Sequence, residues 1–161
     1  MRASSRLLLA LPLLGVVGCD HTSKQLAESH LAPSRAVTLV PDVLELRLVR
    51  NTDTAFNLMG PVADEPTRWL VILALQGLAT VAMALVLLRR WRFAGVAERV
   101  AGVLVLGGAL GNLTERMVRG YVVDFIHVHH WPVFNVADIA LCVGIPLLAV
   151  AAGRARAPAS E

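Results

Sequence analysis

Two aspartates lie in apolar surroundings, and their placement could support acid–base chemistry. Asp124 is the centre of the apolar pentad VVDFI at 122–126, and Asp138 closes the segment FNVAD at 134–138. Two carboxylates that share such a site cannot both ionise cheaply, so they hold one proton between them. The ionised member could take a proton from water while the protonated member donates one to a carbonyl oxygen. Such a pair could hydrolyse a peptide bond without a metal or a covalent intermediate.

Further polar residues stand at helical spacing in otherwise apolar segments: Asp20 and Lys24, Asn112 and Arg116, and Asn135 with Asp138. Residues three or four apart share one helix face, so Asp20 and Lys24 can form an ion pair. Taken singly, Asn112 is explained by a helix–helix hydrogen bond and Arg116 by a side chain that reaches out of the membrane. Acids inside membranes also serve as proton relays in transporters, so a transport function remains an alternative to hydrolysis.

Three histidines, His127, His129 and His130, lie between the two aspartates in the chain. Imidazole binds zinc, but no CxxC or HExxH pattern accompanies these residues. The favoured interpretation is an interfacial loop, in which they lie with Tyr121 and Trp131 at the depth of the lipid headgroups. The sequence therefore predicts neither a metal nor a cofactor.

The composition indicates a membrane protein. Of the 161 residues, 56% are hydrophobic and 17% are charged, whereas soluble domains are about 45–50% apolar and about 25% charged. The net charge of +3 would permit nucleic acid as a partner, but the apolar excess favours membrane lipids and no nucleic acid. Intrinsic disorder needs low hydrophobicity, and Cys19 and Cys142 alone cannot form a disulfide framework.

Four apolar runs predict four membrane-spanning helices, at about residues 7–26, 69–88, 95–114 and 136–153. A spanning helix needs about 20 apolar residues, which the second run supplies without help. With both termini in the cytoplasm, the arginine-rich flanks of these runs lie on the inner side, as the positive-inside rule requires. The two aspartates then lie at the outer interface of the membrane.

A strand pattern occupies the segment between the first two runs. Residues 43–51 read VLELRLVRN, in which leucines alternate with charged residues, and this period of two is typical of a strand. We expect a small extracytoplasmic β element over about 36–57. The predicted fold is an all-α polytopic membrane protein with four transmembrane helices and this small β-sheet element. It forms a single domain over 1–161, with a disordered tail at 154–161.

The N-terminus permits a second interpretation. Arg2, Arg6, the apolar run and VVGC at 16–19 look like a lipoprotein signal, in which Cys19 would be lipidated and the preceding residues removed. The three later apolar runs disfavour this, because acyl chains alone normally anchor lipoproteins. The simpler interpretation of Cys19 is a small apolar residue on a membrane helix.

Three motifs carry a resemblance to a known family: GGALGN at 107–112 followed by Arg116, GYVVDFI at 120–126, and FNVAD at 134–138. With them, residues 20–152 resemble bacterial lipoprotein signal peptidase (signal peptidase II), a family of aspartic membrane proteases. The resemblance implies a multi-pass protein of the bacterial inner membrane, with cytoplasmic termini and its site toward the periplasmic face. It also implies removal of signal peptides from diacylglyceryl-modified prolipoproteins, cut just before the lipidated cysteine, by an enzyme for which a monomer suffices.

The resemblance further implies roles for individual residues. Asp124 and Asp138 match the catalytic pair. Asn135 is implied to orient that pair, and Asn112 to hold the substrate backbone together with Arg116. The full set implied in substrate binding or support is Asp20, Lys24, Asn51, Ala55, Phe56, Asn112, Glu115, Arg116 and Asn135.

Two positions depart from the usual pattern of the family. Glu115 stands where an aspartate is usual; because the charge is kept beside Arg116, we expect the ion pair to survive in a shifted geometry. Asp53 stands where a glycine is usual, and it would carry a cost there if the position needs a positive φ. The rival functions are a small proton-coupled transporter and a catalytically silent paralogue that binds lipidated peptides.

Overall fold

The computed structural model describes residues 3–32, 35–53 and 64–154. Within these ranges the order of elements is α1 (Ala3–His30), β1 (Val37–Val40), β2 (Leu44–Asn51), α2 (Glu65–Arg90), α3 (Val96–Arg119), β3 (Val122–Val128) and α4 (Val136–Arg154). Ala55, Phe56 and residues 155–161 of the tail predicted at 154–161 lie outside the described residues. Arg154, the first residue of that predicted tail, is the last residue of α4.

Three helices in the described ranges are long and apolar enough to cross a membrane. They are α2, α3 and the Val136–Gly153 part of α4, with mean hydropathies of 2.5, 1.4 and 2.1. The expected membrane fold, mostly helical with a small sheet, is confirmed to this extent. A fourth span over α1 stays a prediction.

Helix α3 is the centre of the helical packing. Of its apolar 18-residue window 56% is buried, against 17% in α2 and in α4, and it packs against all three other helices. Small residues permit this close approach. Gly107 faces Val16 of α1, and Gly108 faces the backbone oxygen of Ala137 in α4.

We expect Gly108→Ala to destabilise the contact between α3 and α4. A Cβ atom at this position would lie 2.5 Å from the backbone oxygen of Ala137, which cannot yield without a shift in the first turn of α4. The expected loss in unfolding free energy is about 1–3 kcal/mol, measured by unfolding in detergent. Gly77→Ala is the matched control, because a Cβ there meets nothing within 4 Å. Equal stabilities of the two variants would contradict the close approach.

The three strands form an antiparallel sheet in the order β1-β2-β3. The third strand comes from the segment between α3 and α4, beyond the β element expected at 36–57. Its first four residues are buried. A strand buried in this way does not need the alternation of apolar and polar residues that predicts a half-exposed strand, and the pattern therefore did not indicate it. The register pairs Val49 with Asp124 and Asn51 with Val122. The sheet therefore places the end of β2 beside Asp124.

A tight turn joins α3 to β3. Gly120 ends the helix with a φ of 77°, a left-handed conformation that glycine adopts without strain. Its N–H donates to the backbone oxygen of Arg116 at 3.1 Å. This short connection keeps the strand that carries Asp124 close to the last turn of α3.

Candidate active site

Asp124 lies in β3 and is 3% exposed. Its Oδ2 accepts a hydrogen bond from Asn51 Nδ2 at 2.8 Å, and its Oδ1 accepts one from Asn135 Nδ2 at 2.6 Å. Burial raises the pKa of Asp124 from 3.8 to about 6. The hydrogen bonds from Asn51 and Asn135 oppose this rise, and the charge of Asp138 adds to it. Asp124 therefore keeps its proton to a higher pH than an ordinary aspartate.

Asp138 lies in the first turn of α4, where it is held by a capping box. The N–H of Asp138 donates to Asn135 Oδ1 at 3.0 Å, and the N–H of Asn135 donates to Asp138 Oδ2 at 3.2 Å. In this motif the residue before a helix and the third helical residue satisfy each other's backbone groups. The second carboxylate oxygen, Oδ1, accepts from Asn112 Nδ2 at 2.8 Å. The capping box at the start of α4 and the Asn112 side chain of α3 together position Asp138.

Asn135 connects the two aspartates. Its side chain is completely buried, and its Nδ2 contacts both Asp124 Oδ1 at 2.6 Å and Asn112 Oδ1 at 3.1 Å. Its backbone N–H reaches Asp138. One residue thus donates to both carboxylates, although they belong to a strand and a helix. The structure brings the two sequence-predicted acids to one site.

A buried lysine lies behind this site. Lys24 Nζ lies 2.8 Å from Asp20 Oδ2, 3.0 Å from Glu115 Oε2 and 2.9 Å from Asn112 Oδ1. An ammonium group has three N–H donors, and these contacts match them. The Asp20–Lys24 ion pair expected from their spacing is present. The sequence did not indicate that Glu115 would share the same lysine.

The two acids that bind Lys24 also hold the backbone beside each aspartate. Asp20 Oδ1 accepts the N–H of Ala137 at 2.8 Å, and Glu115 Oε2 accepts the N–H of Val123 at 3.1 Å. Ala137 immediately precedes Asp138, and Val123 precedes Asp124. Lys24 therefore supports Asp124 and Asp138 indirectly, through the carboxylates of Asp20 and Glu115.

Glu115 does not form the expected ion pair with its neighbour Arg116. Consecutive helical residues point about 100° apart, whereas residues four apart share a face, and Glu115 Oε1 accordingly lies 3.4 Å from Arg119 Nη1. Arg116 instead donates to Gln76 Oε1 at 2.9 Å and to the backbone oxygen of Asp53 at 3.0 Å. Sequence reasoning missed Gln76, although an amide inside an apolar run was a visible signal.

Asp53 does not carry the backbone cost considered for it. Among the described non-glycine residues, a positive φ occurs at Asp42 and His130. The N–H of Asp53 donates to Asn51 Oδ1 at 2.9 Å, and its Oδ2 lies 3.7 Å from Arg68 Nε. The aspartate is therefore accommodated beside Asn51 in an ordinary backbone conformation.

The histidine cluster lies at the far end of β3. His127 Nδ1 lies 2.7 Å from Glu45 Oε1 on the neighbouring strand, and the rings of His129 and His130 meet edge to face. Over the part of the chain that the structure describes, no group of three His, Cys, Asp or Glu residues could hold a metal ion.

We expect the stability of the protein to depend on pH through Asp124. The pKa of this carboxyl is about 6 in the folded protein against 3.8 for an ordinary aspartate, so the folded state binds more protons between these values. Unfolding releases a proton there, and the free energy of unfolding therefore falls as the pH rises from about 4 to about 6 and levels off above. The loss is at most about 3 kcal/mol, at about 1.4 kcal/mol per pKa unit.

Unfolding of the wild type and of Asp124→Asn in detergent across this pH range measures the effect. The stability of the wild type relative to the variant should decline over the interval, because asparagine does not titrate. A difference that stays constant from about pH 4 to about pH 6 would contradict the raised pKa.

The fold and the site define the class of this protein: a helical membrane protein in which the buried Asp124 of a strand and the half-buried Asp138 of a helix are joined by hydrogen bonds from Asn135. Comparison with known proteins identifies the family. The model of the family described as signal peptidase (SPase) II matches residues 13–153. The chain belongs to the signal peptidase II family and is a peptidase, as the motif resemblance predicted.

Several relatives are named lipoprotein signal peptidase. A lipoprotein signal peptidase of Syntrophotalea carbinolica is 40% identical over 160 residues and is matched over 94% of each chain. Another, of Pseudomonas paraeruginosa, is 40% identical over 136 residues, which cover 81% of this chain and 79% of the relative. A solved bacterial membrane enzyme superimposes with a TM-score of 0.75 at 25% identity, over 90% of this chain and 92% of its own.

Proposed function

We propose that this peptidase removes signal peptides from diacylglyceryl-modified prolipoproteins, that it cuts the bond before the lipidated cysteine, and that Asp124 and Asp138 are its catalytic residues. The observation that carries the proposal is that Asn135 donates hydrogen bonds to both carboxylates from a buried position. The name of the relatives, lipoprotein signal peptidase, supports the class of substrate.

The geometry suits hydrolysis by an acid–base pair that shares one proton. The ionised carboxylate takes a proton from water as the water oxygen bonds to the scissile carbonyl carbon. The protonated carboxyl donates its proton to the carbonyl oxygen. When the C–N bond breaks, the leaving nitrogen takes the proton that came from water, and the second acid recovers its own from the hydroxyl group. No covalent enzyme intermediate forms.

We further propose that α1 is a fourth span. Leu11 and Leu14 of this helix are 62% and 66% exposed, and lipid would cover them at little cost. Lys24 on the same helix is turned into the protein. Removal of the residues before Cys19 would delete Leu13 and Val16, which pack against Gly107 of α3, and this argues against the lipoprotein interpretation. Both termini are then cytoplasmic, and the aspartates of the monomer lie at the outer face of the inner membrane.

A cleavage assay with two synthetic peptides tests the proposal. Both carry a lipobox, one with a diacylglyceryl-modified cysteine and one with a free cysteine. We expect the purified protein to cleave the first before its cysteine, as identified by mass spectrometry, and to leave the second intact. Cleavage should persist in a strong chelator. No cleavage by folded protein in suitable lipid would favour the silent paralogue, and loss of activity on chelation would contradict a metal-independent mechanism.

A further inference from the structure

Gln76 is a strongly polar side chain in the middle of the apolar helix α2. The apolar window of this helix has a mean hydropathy of 2.5, and an amide at such depth is costly unless its groups are hydrogen-bonded. Gln76 Oε1 accepts a hydrogen bond from Arg116 Nη1 at 2.9 Å. Its Nε2 lies 3.4 Å from the backbone oxygen of Ala109. Both partners belong to α3, so Gln76 links the two helices at the side of the candidate site.

The same guanidinium is held at a second point. Arg116 Nη2 donates to the backbone oxygen of Asp53 at 3.0 Å, and the N–H of Asp53 donates to Asn51 Oδ1 at 2.9 Å. Asn51 in turn donates to Asp124 Oδ2 at 2.8 Å. A guanidinium is planar and rigid, so two bonds through different nitrogens define both its position and its plane. These bonds leave further N–H donors of Arg116 for a ligand.

We propose that Gln76 is a positioning residue for substrate binding and that it acts through Arg116. Because Gln76 holds Nη1 from the side of α2, it directs the other donors of Arg116 toward the backbone of a signal peptide bound at the two aspartates. The inference rests on the proposed function, in which Arg116 contacts the substrate. Within the described residues, loss of this acceptor leaves the guanidinium held at Asp53, so that it can turn about that bond. Substrate binding then weakens, while the aspartates are unchanged.

The test is the kinetics of cleavage of the diacylated lipobox peptide by Gln76→Met, which keeps the size of the side chain and removes both hydrogen-bonding groups. We expect KM to rise about tenfold while kcat stays within about twofold of the wild type. Gln76→Glu keeps an acceptor for Arg116 and should restore KM to near the wild-type value. Thr80→Val is the matched control one turn along α2. Thr80 is buried and donates to the backbone oxygen of Gln76, and its loss should leave KM unchanged.

Two results would overturn the inference while the proposed function stands. The first is a Gln76→Met variant that lacks the specific rise in KM, whether because KM is unchanged or because kcat and the melting temperature fall in parallel, as a packing role would predict. The second is a full further rise in KM when Gln76→Met is added to Arg116→Lys, because a residue that acts through Arg116 should then have no separate effect. Failure of the wild type to cleave the peptide would overturn the proposed function itself, and this is seen before any variant is compared.

Discussion

Replacement of either Asp124 or Asp138 by asparagine is expected to reduce cleavage of a diacylated lipobox peptide by about 10³-fold. Asparagine has nearly the size of aspartate but can neither take a proton from water nor carry one to the carbonyl oxygen. Because the two acids share one proton, either substitution removes the whole cycle, and the double variant should be no slower than the single ones. The measurement is the initial rate of cleavage in detergent or lipid.

Asp64→Asn is the matched control for this experiment. Asp64 precedes α2, is exposed, and makes no capping hydrogen bond with its side chain, so the same chemical change there should leave the rate unaltered. Melting temperatures of all three variants separate loss of chemistry from loss of structure. Full cleavage by Asp124→Asn or by Asp138→Asn would remove the proposed mechanism.

The second large effect is expected from Lys24→Met, which should lower the free energy of unfolding by about 3–5 kcal/mol. The substitution keeps the apolar stem but leaves Asp20 and Glu115, whose side chains are 1% and 4% exposed, without their shared cation. Two buried carboxylates would then repel each other without this ammonium group, and Arg119 would remain near Glu115 alone. Cleavage should fall as well, because the same two acids hold the backbone beside each aspartate.

Two comparisons make this prediction specific. Gln25→Met changes the next residue of α1, whose exposed side chain contacts the exposed His21, and should have little effect on the melting temperature. Combining Lys24→Met with Asp20→Asn and Glu115→Gln removes both negative charges together and should recover much of the lost stability. A melting temperature of Lys24→Met equal to that of the wild type would show that the buried charges do not depend on this lysine.

Local patterns predicted a large part of the site. The Asp20–Lys24 ion pair follows from a spacing of four within one helix, and the bonds between Asn135 and Asp138 follow from a spacing of three at a helix start. Both depend only on the geometry of a single helix. The partner of Glu115 could not be read in this way, because Lys24 lies on another helix. Gln76 was missed for the same reason, since its partner Arg116 belongs to α3.

The amino-acid sequence alone determined the membrane class, the helical runs, the peptidase family and the two candidate catalytic acids, because each depends on composition or on motifs within a short stretch of chain. Only the tertiary structure decided how those acids are held. The strand that carries Asp124 joins the sheet through pairing with β2, and the glycines of α3 let α1 and α4 approach closely enough for Asp20 to reach the N–H of Ala137. Contacts of this kind depend on the distance between elements far apart in the chain, which no local pattern encodes.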